Sequence, residues 1–191
     1  MRLLRQSAAA GLVAICAAGA AQADGEFLQF DVSPTTANGV FSIERGRLSY
    51  AFSYSDYPGP ADLNASVTYK FVVGEAAPVT FRFGPAVQYE RLSTLKFGIR
   101  AIAEHYRPTS FGHVFLLGEV TSIDLGYFGL ATVGFDKPDV DFEFVVQGDN
   151  AGYSDQSIAA TFGLGTPGAR LRAGYRFQSR EAFLGMSLNS F

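Results

Sequence analysis

Residues 170–178 read Arg-Leu-Arg-Ala-Gly-Tyr-Arg-Phe-Gln, and their alternation decides the fold. Apolar side chains alternate there with polar ones: Leu171, Ala173, Tyr175 and Phe177 against Arg170, Arg172, Arg176 and Gln178. Successive side chains of a β-strand point to opposite faces, so this strand has one apolar face and one face with three arginines. A strand of a membrane-spanning barrel requires that division, because its outer face contacts lipid.

The same period of two residues recurs from about residue 45 onward, and turn residues such as Pro58-Gly59-Pro60 and Thr166-Pro167-Gly168 separate the segments. The segments are about 9 to 12 residues long, which is the length that a tilted strand needs to cross a bilayer. Strands are predicted at 26–33, 39–44, 47–55, 62–73, 78–89, 94–105, 111–121, 125–135, 139–147, 155–164, 168–178 and 181–191. The predicted fold class is all-β, a closed antiparallel transmembrane β-barrel of about 12 strands. Ten or eight strands are the alternatives, because the first two are the weakest.

The first 23 residues predict a cleaved signal peptide, with Arg2 and Arg5 before an apolar stretch and Ala21-Gln22-Ala23 at its end. Residues 24–191 then form a single barrel domain. The only cysteine, Cys16, would leave with the leader, which excludes disulfides, thiolate metal sites and cysteine nucleophiles. Thirteen of the 15 basic residues would remain against 18 acidic ones, a net charge of −5 that argues against a nucleic-acid partner.

Together these features resemble the outer-membrane β-barrel proteins of Gram-negative bacteria. The last strand, Phe-Leu-Gly-Met-Ser-Leu-Asn-Ser-Phe at 183–191, ends in an aromatic residue, which in that family is what the insertion machinery recognises. Phe191 falls on the opposite parity from Leu184, Met186 and Leu188, so either a local bulge aligns it or the terminal phenylalanine is fortuitous. The resemblance implies export through the inner membrane, a location in the outer membrane, and contacts with its lipids and with the barrel insertion machinery.

Polar residues on the inner parity of the predicted strands are the candidate lumen-lining side chains. They are Lys70, Arg82, Lys96, Arg100, Glu104, His113, Glu119, Asp141, Glu143, Arg170, Arg172 and Arg176. In a narrow barrel such charges pair across the lumen and plug it, whereas in a wider one they line a water-filled path. Short connections and short strands favour a plug or a very narrow pore. If a pore exists, the three arginines of one strand favour small anionic solutes.

The connection Arg107-Pro108-Thr109-Ser110 predicts a strand pairing in which Glu104 lies opposite His113. This register keeps every charge off the lipid face. It also places His113 beside Glu104 and near Ser110, residue types that hydrolases use. A hydrolase needs in addition a placed nucleophile and an oxyanion site, so no catalytic residue is predicted.

Two further motifs predict no cofactor and no metal. Gly163-Leu164-Gly165-Thr166-Pro167-Gly168 has the spacing of a dinucleotide-binding fingerprint, but it leads into a strand where that motif opens a helix. The acidic residues between Asp136 and Glu143 lack the spacing of a calcium loop.

The predicted function is a small, non-enzymatic integral outer-membrane barrel that serves as a membrane-structural protein or a narrow, porin-like channel. The first alternative is a lipid-modifying hydrolase on such a barrel, and the second is a soluble periplasmic β-sandwich binding protein. A barrel is expected to expose tyrosines near its strand ends, where amphipathic rings settle at the lipid boundary. The candidates are Tyr54, Tyr69, Tyr89 and Tyr106.

Overall fold

The computed structural model describes residues 25–191, so the predicted signal peptide lies outside the described residues. These residues form twelve strands: β1 (Gly25–Val32), β2 (Ala37–Arg45), β3 (Leu48–Asp56), β4 (Asp62–Val73), β5 (Val79–Glu90), β6 (Thr94–Thr109), β7 (Gly112–Thr121), β8 (Tyr127–Phe135), β9 (Val140–Gly148), β10 (Ser154–Gly163), β11 (Ala169–Arg176) and β12 (Glu181–Asn189). Each strand pairs antiparallel with its neighbours in the chain, and β1 also pairs with β12, which closes the barrel. The predicted fold class and count of 12 are confirmed, and ten or eight strands are wrong. No helix in this part of the chain is long and apolar enough to cross a membrane.

All connections are two to five residues long, at both ends of the barrel. The proximal rim is the end at which β1 begins and β12 ends, with the connections 46–47, 74–78, 110–111, 136–139 and 164–168. The distal rim is the opposite end, with the connections 33–36, 57–61, 91–93, 122–126, 149–153 and 177–180. At the proximal rim, Gly46 has a φ of +61°, which suits the two-residue turn between β2 and β3.

The outer face of the barrel is apolar over its whole circumference. Its exposed side chains include Tyr50, Phe52, Val67, Phe71, Phe81, Phe83, Phe97, Ile99, Leu116, Val120, Val133, Phe142, Phe144, Ile158, Phe162, Leu171, Leu184, Met186 and Leu188. Soluble monomers rarely expose contiguous apolar patches of more than a few hundred Å². This band suits lipid contact, and the soluble β-sandwich alternative is wrong because the sheet closes on itself with its apolar face outward.

Aromatic side chains gather at both rims. Tyr69 and Phe71 lie near the proximal rim with ring centroids 5.0 Å apart, and Tyr175 and Phe177 lie near the distal rim at 5.6 Å. Amphipathic rings settle at the two boundaries of a bilayer, so these pairs are placed as an aromatic belt would be.

Three of the four predicted belt tyrosines are on the outer face, where Tyr69 and Tyr89 are exposed and Tyr54 is half-buried. The fourth tyrosine, Tyr106, was predicted to belong to the belt, and this prediction is wrong. It shares the inner parity of Glu104, and its ring stacks on that of His113 with centroids 5.5 Å apart.

The predicted pairing of β6 with β7 is wrong by four residues. Glu104 lies opposite Leu117, and His113 lies opposite Pro108, which belongs to β6 and not to the turn. The hairpin turns at 110–111, where the φ of Gly112 is +149° and a Cβ would collide with the carbonyl oxygen of Gly134. Because the shift is an even number of residues, the side chains of the predicted pairing keep their predicted faces.

Phe191 continues the register of β12 with no bulge within Glu181–Asn189. The amide of Ser190 donates to the carbonyl of Glu26 at 2.9 Å, and the ring of Phe191 lies beside Gly25. The bulge that could have realigned Phe191 is absent from Glu181–Asn189. Its role as an insertion signal stays a prediction.

Candidate functional site: the barrel interior

All twelve candidate lumen-lining side chains are on the inner face of the barrel. Cross-strand partners share a face, and pairs such as Lys70 with Arg82 and Thr161 with Arg172 carry the inner parity from strand to strand. The twelve fall into groups on opposite sides of the barrel.

The first wall network, Glu44, Lys70, Arg82 and Glu104, lies on β2 to β6. Glu44 accepts hydrogen bonds from Lys70 Nζ and Arg82 Nη1, and Arg82 Nε lies 3.1 Å from Glu104 Oε1. Glu44 is buried beneath these cations. Next to the network, Arg100 pairs with Glu119 and donates to Ser66 Oγ at 3.0 Å. The charges therefore neutralise one another along this side of the sheet.

The second wall network, Asp31, Asp139, Asp141, Glu143, Arg170 and Arg172, lies on β1, β11, β9 and the connection before β9. Arg172 Nη1 donates to both carboxylate oxygens of Glu143 at 2.8 Å, and its Nε lies 3.0 Å from Asp31 Oδ1. Arg170 lies 2.7 Å from Asp139 and 3.1 Å from Asp141. Two of the three arginines of β11 are thus paired with carboxylates.

Arg176, the third arginine of β11, has neutral partners near the distal rim. It donates to the hydroxyl of Thr36, and its guanidinium carbon lies 5.1 Å from the ring centroid of Phe183. Glu181 nearby accepts hydrogen bonds of 2.6 Å from Ser33 and Thr35. At the distal end of β11, hydroxyl groups are therefore the hydrogen-bond partners of these two charged side chains.

A glycine on the intervening strand lets Arg172 reach Asp31. Gly185 of β12 is the cross-strand partner of both residues, and a Cβ at this position would collide with Asp31 Oδ1. A residue without a side chain leaves the space in which the two charged groups meet.

The histidines form no catalytic arrangement with Glu104. His113 Nε2 lies 4.0 Å from Asp141 Oδ1, and its ring stacks on Tyr106. His105 is on the outer parity, where its Nδ1 lies 3.0 Å from the carbonyl oxygen of Pro78. The predicted proximity of His113 to Glu104 is therefore wrong, because the pairing of β6 with β7 differs from the predicted one by four residues.

Sequence reasoning missed Asp31 and Glu44, the two most buried carboxylates of the interior. Both belong to the first two strands, whose alternation is the weakest. Their inner parity follows from the strand pairing, in which Asp31 lies opposite Gly185 and Glu44 lies opposite Ser49.

The inner face as a whole carries more acidic than basic side chains. Among residues 25–191, the strand positions on inner parity hold seven basic side chains: Lys70, Arg82, Lys96, Arg100, Arg170, Arg172 and Arg176. They hold ten carboxylates: Asp31, Glu44, Asp62, Glu90, Glu104, Glu119, Asp141, Glu143, Asp155 and Glu181. The interior is therefore net negative.

Ion pairs follow the barrel wall and do not cross the lumen. Every ion pair among the described residues joins two strands at most three apart or a strand and a nearby connection, the widest being Arg82 on β5 with Glu44 on β2. Opposite sides of the barrel are six strands apart. The ion pairs therefore run along the wall, and the choice between a plug and a very narrow pore stays a prediction.

The solved structures similar to this chain include two porins. The KdgM porin matches with a TM-score of 0.56 at 11% sequence identity, over 87% of this chain and 99% of that one. A triple mutant of Rh. blastica porin matches with a TM-score of 0.42 at 11% identity, over 82% of this chain and 56% of that one. No protein-family model and no curated protein matches the sequence. The likeness to the KdgM porin shows a porin-type barrel fold.

Proposed function

We propose that this protein is a narrow outer-membrane channel for ions and small hydrophilic solutes. The observation that carries the proposal is the course of the charged networks, which follow the barrel wall with no ion pair between its opposite sides among the described residues. Charges arranged in this way hold water and line a path.

The size of the barrel is consistent with a narrow channel. Twelve strands spaced about 4.8 Å apart and tilted by about 40° close into a backbone ring of roughly 24 Å diameter. The charged side chains of both wall networks narrow that ring, and the connections are too short to fold deep into it. The passage that we propose is therefore narrow.

The outer face supports a location in the outer membrane. An apolar band with aromatic pairs at both rims matches a bilayer core and its two boundaries, so membrane lipids are the partners of this surface. Secretion by a cleaved signal peptide and assembly by the barrel insertion machinery belong to the same proposal.

The ion preference follows from the whole inner face. Small anionic solutes were predicted from the arginines of β11 alone, and Arg170 and Arg172 are paired with carboxylates. The excess of carboxylates over the inner face opposes that prediction and favours cations. A reversal-potential measurement distinguishes the two signs.

A non-enzymatic role is part of this proposal. The hydrolase alternative needs a base, a nucleophile and an oxyanion site in one place. His113 contacts Tyr106 and Asp141, neither of which is a serine or a cysteine.

The proposal is tested by solute uptake into liposomes that contain the purified, folded protein. Ala51 lies on the inner face between Ser42 and Ser66, and Phe52 is its exposed neighbour on the outer face. Ala51→Trp should slow the uptake of small sugars by narrowing the passage, while Phe52→Trp should leave uptake unchanged. A folded barrel that admits neither ions nor small sugars would refute the channel.

A further inference from the structure

Two tyrosines meet above the lumen at the distal rim. Tyr57 belongs to the connection between β3 and β4, and Tyr153 to the connection between β9 and β10. Their ring centroids are 6.5 Å apart with an interplanar angle of 58°. This tilted geometry is common among interacting aromatic pairs.

These connections are on opposite sides of the barrel. In a closed ring of twelve strands, the β3–β4 and β9–β10 connections are separated by six strands in either direction. A ring of this size has a backbone diameter of roughly 24 Å. Two rings that approach within 6.5 Å must therefore reach inward from both sides and span the mouth.

Hydrogen bonds hold Tyr153 in its inward position. Gln147 Nε2 donates to its hydroxyl at 2.8 Å, and its backbone amide donates to Asp149 Oδ1 at 3.0 Å. Asp149 Oδ1 also accepts from the amide of Ala151, and the amide of Asn150 donates to the carbonyl of Asp124. The connection is tied both to itself and to the neighbouring one.

In the opposite connection, between β3 and β4, two prolines restrict the backbone. Tyr57 is followed by Pro58-Gly59-Pro60, and the amide of Gly59 donates to the carbonyl of Tyr57 at 2.7 Å. Each proline fixes its own φ and restricts the preceding residue. Ala61, at the end of this connection, is buried. The backbone of each connection therefore constrains the position of its tyrosine.

We infer that Tyr57 and Tyr153 form a tyrosine bar across the distal mouth that sets the upper size limit for solutes. The bar divides the mouth into two smaller openings, each bounded by one side of the ring pair. Solutes small enough to pass beside the rings enter the lumen, and larger ones are excluded. This inference rests on the proposed channel function.

The geometry of the bar can be tested without reference to transport. No cysteine lies within residues 25–191, so cysteines introduced there are the only thiols of the described chain. A Tyr57→Cys, Tyr153→Cys double variant treated with a short bis-maleimide should give an intramolecular cross-link, detected by mass. A Tyr57→Cys, Tyr89→Cys double variant is the matched control, because Tyr89 is near the same rim on the outer face. Absence of the first cross-link would overturn the bar.

The size limit is tested by uptake of a series of sugars of increasing size into liposomes. Tyr57→Ala with Tyr153→Ala should raise the uptake of the largest permeant sugar severalfold and admit larger ones. Tyr57→Phe with Tyr153→Phe keeps both rings and should keep the wild-type limit, as should Tyr89→Ala.

The outcomes separate this inference from the channel itself. If the cross-link forms but the alanine variant keeps the wild-type size limit, the tyrosines do not set that limit. Uptake by the wild-type protein would in that case still support the channel. A wild-type barrel that passes no solute refutes the channel and the size limit together.

Discussion

Arg172 of β11 and Asp31 of β1 form a 3.0 Å ion pair that passes over Gly185 of β12. The two side chains are among the most buried charged groups of the interior. The pair connects β11 to β1 across the strand at which the barrel closes, so it links the two ends of the sheet. Closure of the barrel and the charge pattern of its lumen therefore depend on the same residues.

Gly185→Ala is expected to destabilise the folded barrel by about 1–3 kcal/mol, the usual cost of overpacking. The new Cβ would occupy the position of Asp31 Oδ1 and force the ion pair apart. Gly118→Ala is the control, because a Cβ at that strand glycine meets nothing within 4 Å. Urea unfolding in detergent, followed by the loss of the heat-shifted electrophoretic band, measures both. Equal stability of the two variants would contradict the packing described.

Arg172→Ala is expected to cost about 3–5 kcal/mol, because it leaves buried carboxylates without their cation. The side chains of Asp31 and Glu143 are only 7% and 13% exposed in the pair. Arg107→Ala is the control, since Arg107 is exposed on the outer parity of β6. The same unfolding assay applies, and a loss no larger than that of the control would mean that water already screens the pair.

The two tyrosines of the bar are expected to ionise at a higher pH than an ordinary tyrosine. Burial raises the pKa of both Tyr57 and Tyr153, and the carboxylates of Asp62 and Asp155 add to the effect while Arg176 opposes it. An ordinary tyrosine ionises near pH 10.

Because the folded state favours the neutral phenols, their contribution to stability is present below pH 10 and is lost as the pH rises above the unfolded pKa. Tyrosinate absorbance measures the titration. Tyr57→Phe with Tyr153→Phe should lower the tyrosinate absorbance gained at the high-pH end of the titration. The same gain in the double variant as in the wild type would contradict the raised pKa of the two tyrosines.

The parity of the side chains could be predicted from the sequence, but the alignment of neighbouring strands could not. Alternation placed Arg100, Glu104 and Glu119 on the inner face, and they remain on that face although the pairing of β6 with β7 is shifted by four residues. A period of two cannot distinguish registers that differ by an even number of residues. The position of the turn decides, and Pro108 was assigned to it although it belongs to β6.

Contacts between distant parts of the chain were also beyond sequence reasoning. Tyr57 and Tyr153 carry no local pattern that separates them from ordinary turn residues, and only the closed ring brings them together. Asp31 and Glu44 were missed for another reason. Their strands alternate weakly, so their inner parity becomes clear only from the pairing of β1 and β2.

Weak cation preference is expected in dilute salt, because carboxylates outnumber basic groups on the inner face. Asp62 and Glu181 contribute to this excess near the distal rim, where they accept hydrogen bonds from a backbone amide and from hydroxyl groups. Asp62→Asn with Glu181→Gln should move the reversal potential under a salt gradient toward zero. Glu75→Gln, in an exposed connection of the proximal rim, should leave it unchanged. Anion preference in the wild-type protein would support the prediction from the β11 arginines and contradict this one.

The most direct test of the channel is the current through a planar bilayer that contains the purified barrel at low copy number. Folded wild-type protein is expected to give discrete steps of equal size that scale with salt concentration, and Ala51→Trp is expected to give smaller steps at the same salt. A protein that shows the heat-dependent mobility of a closed barrel but inserts without any conductance step would contradict a water-filled passage between the two wall networks.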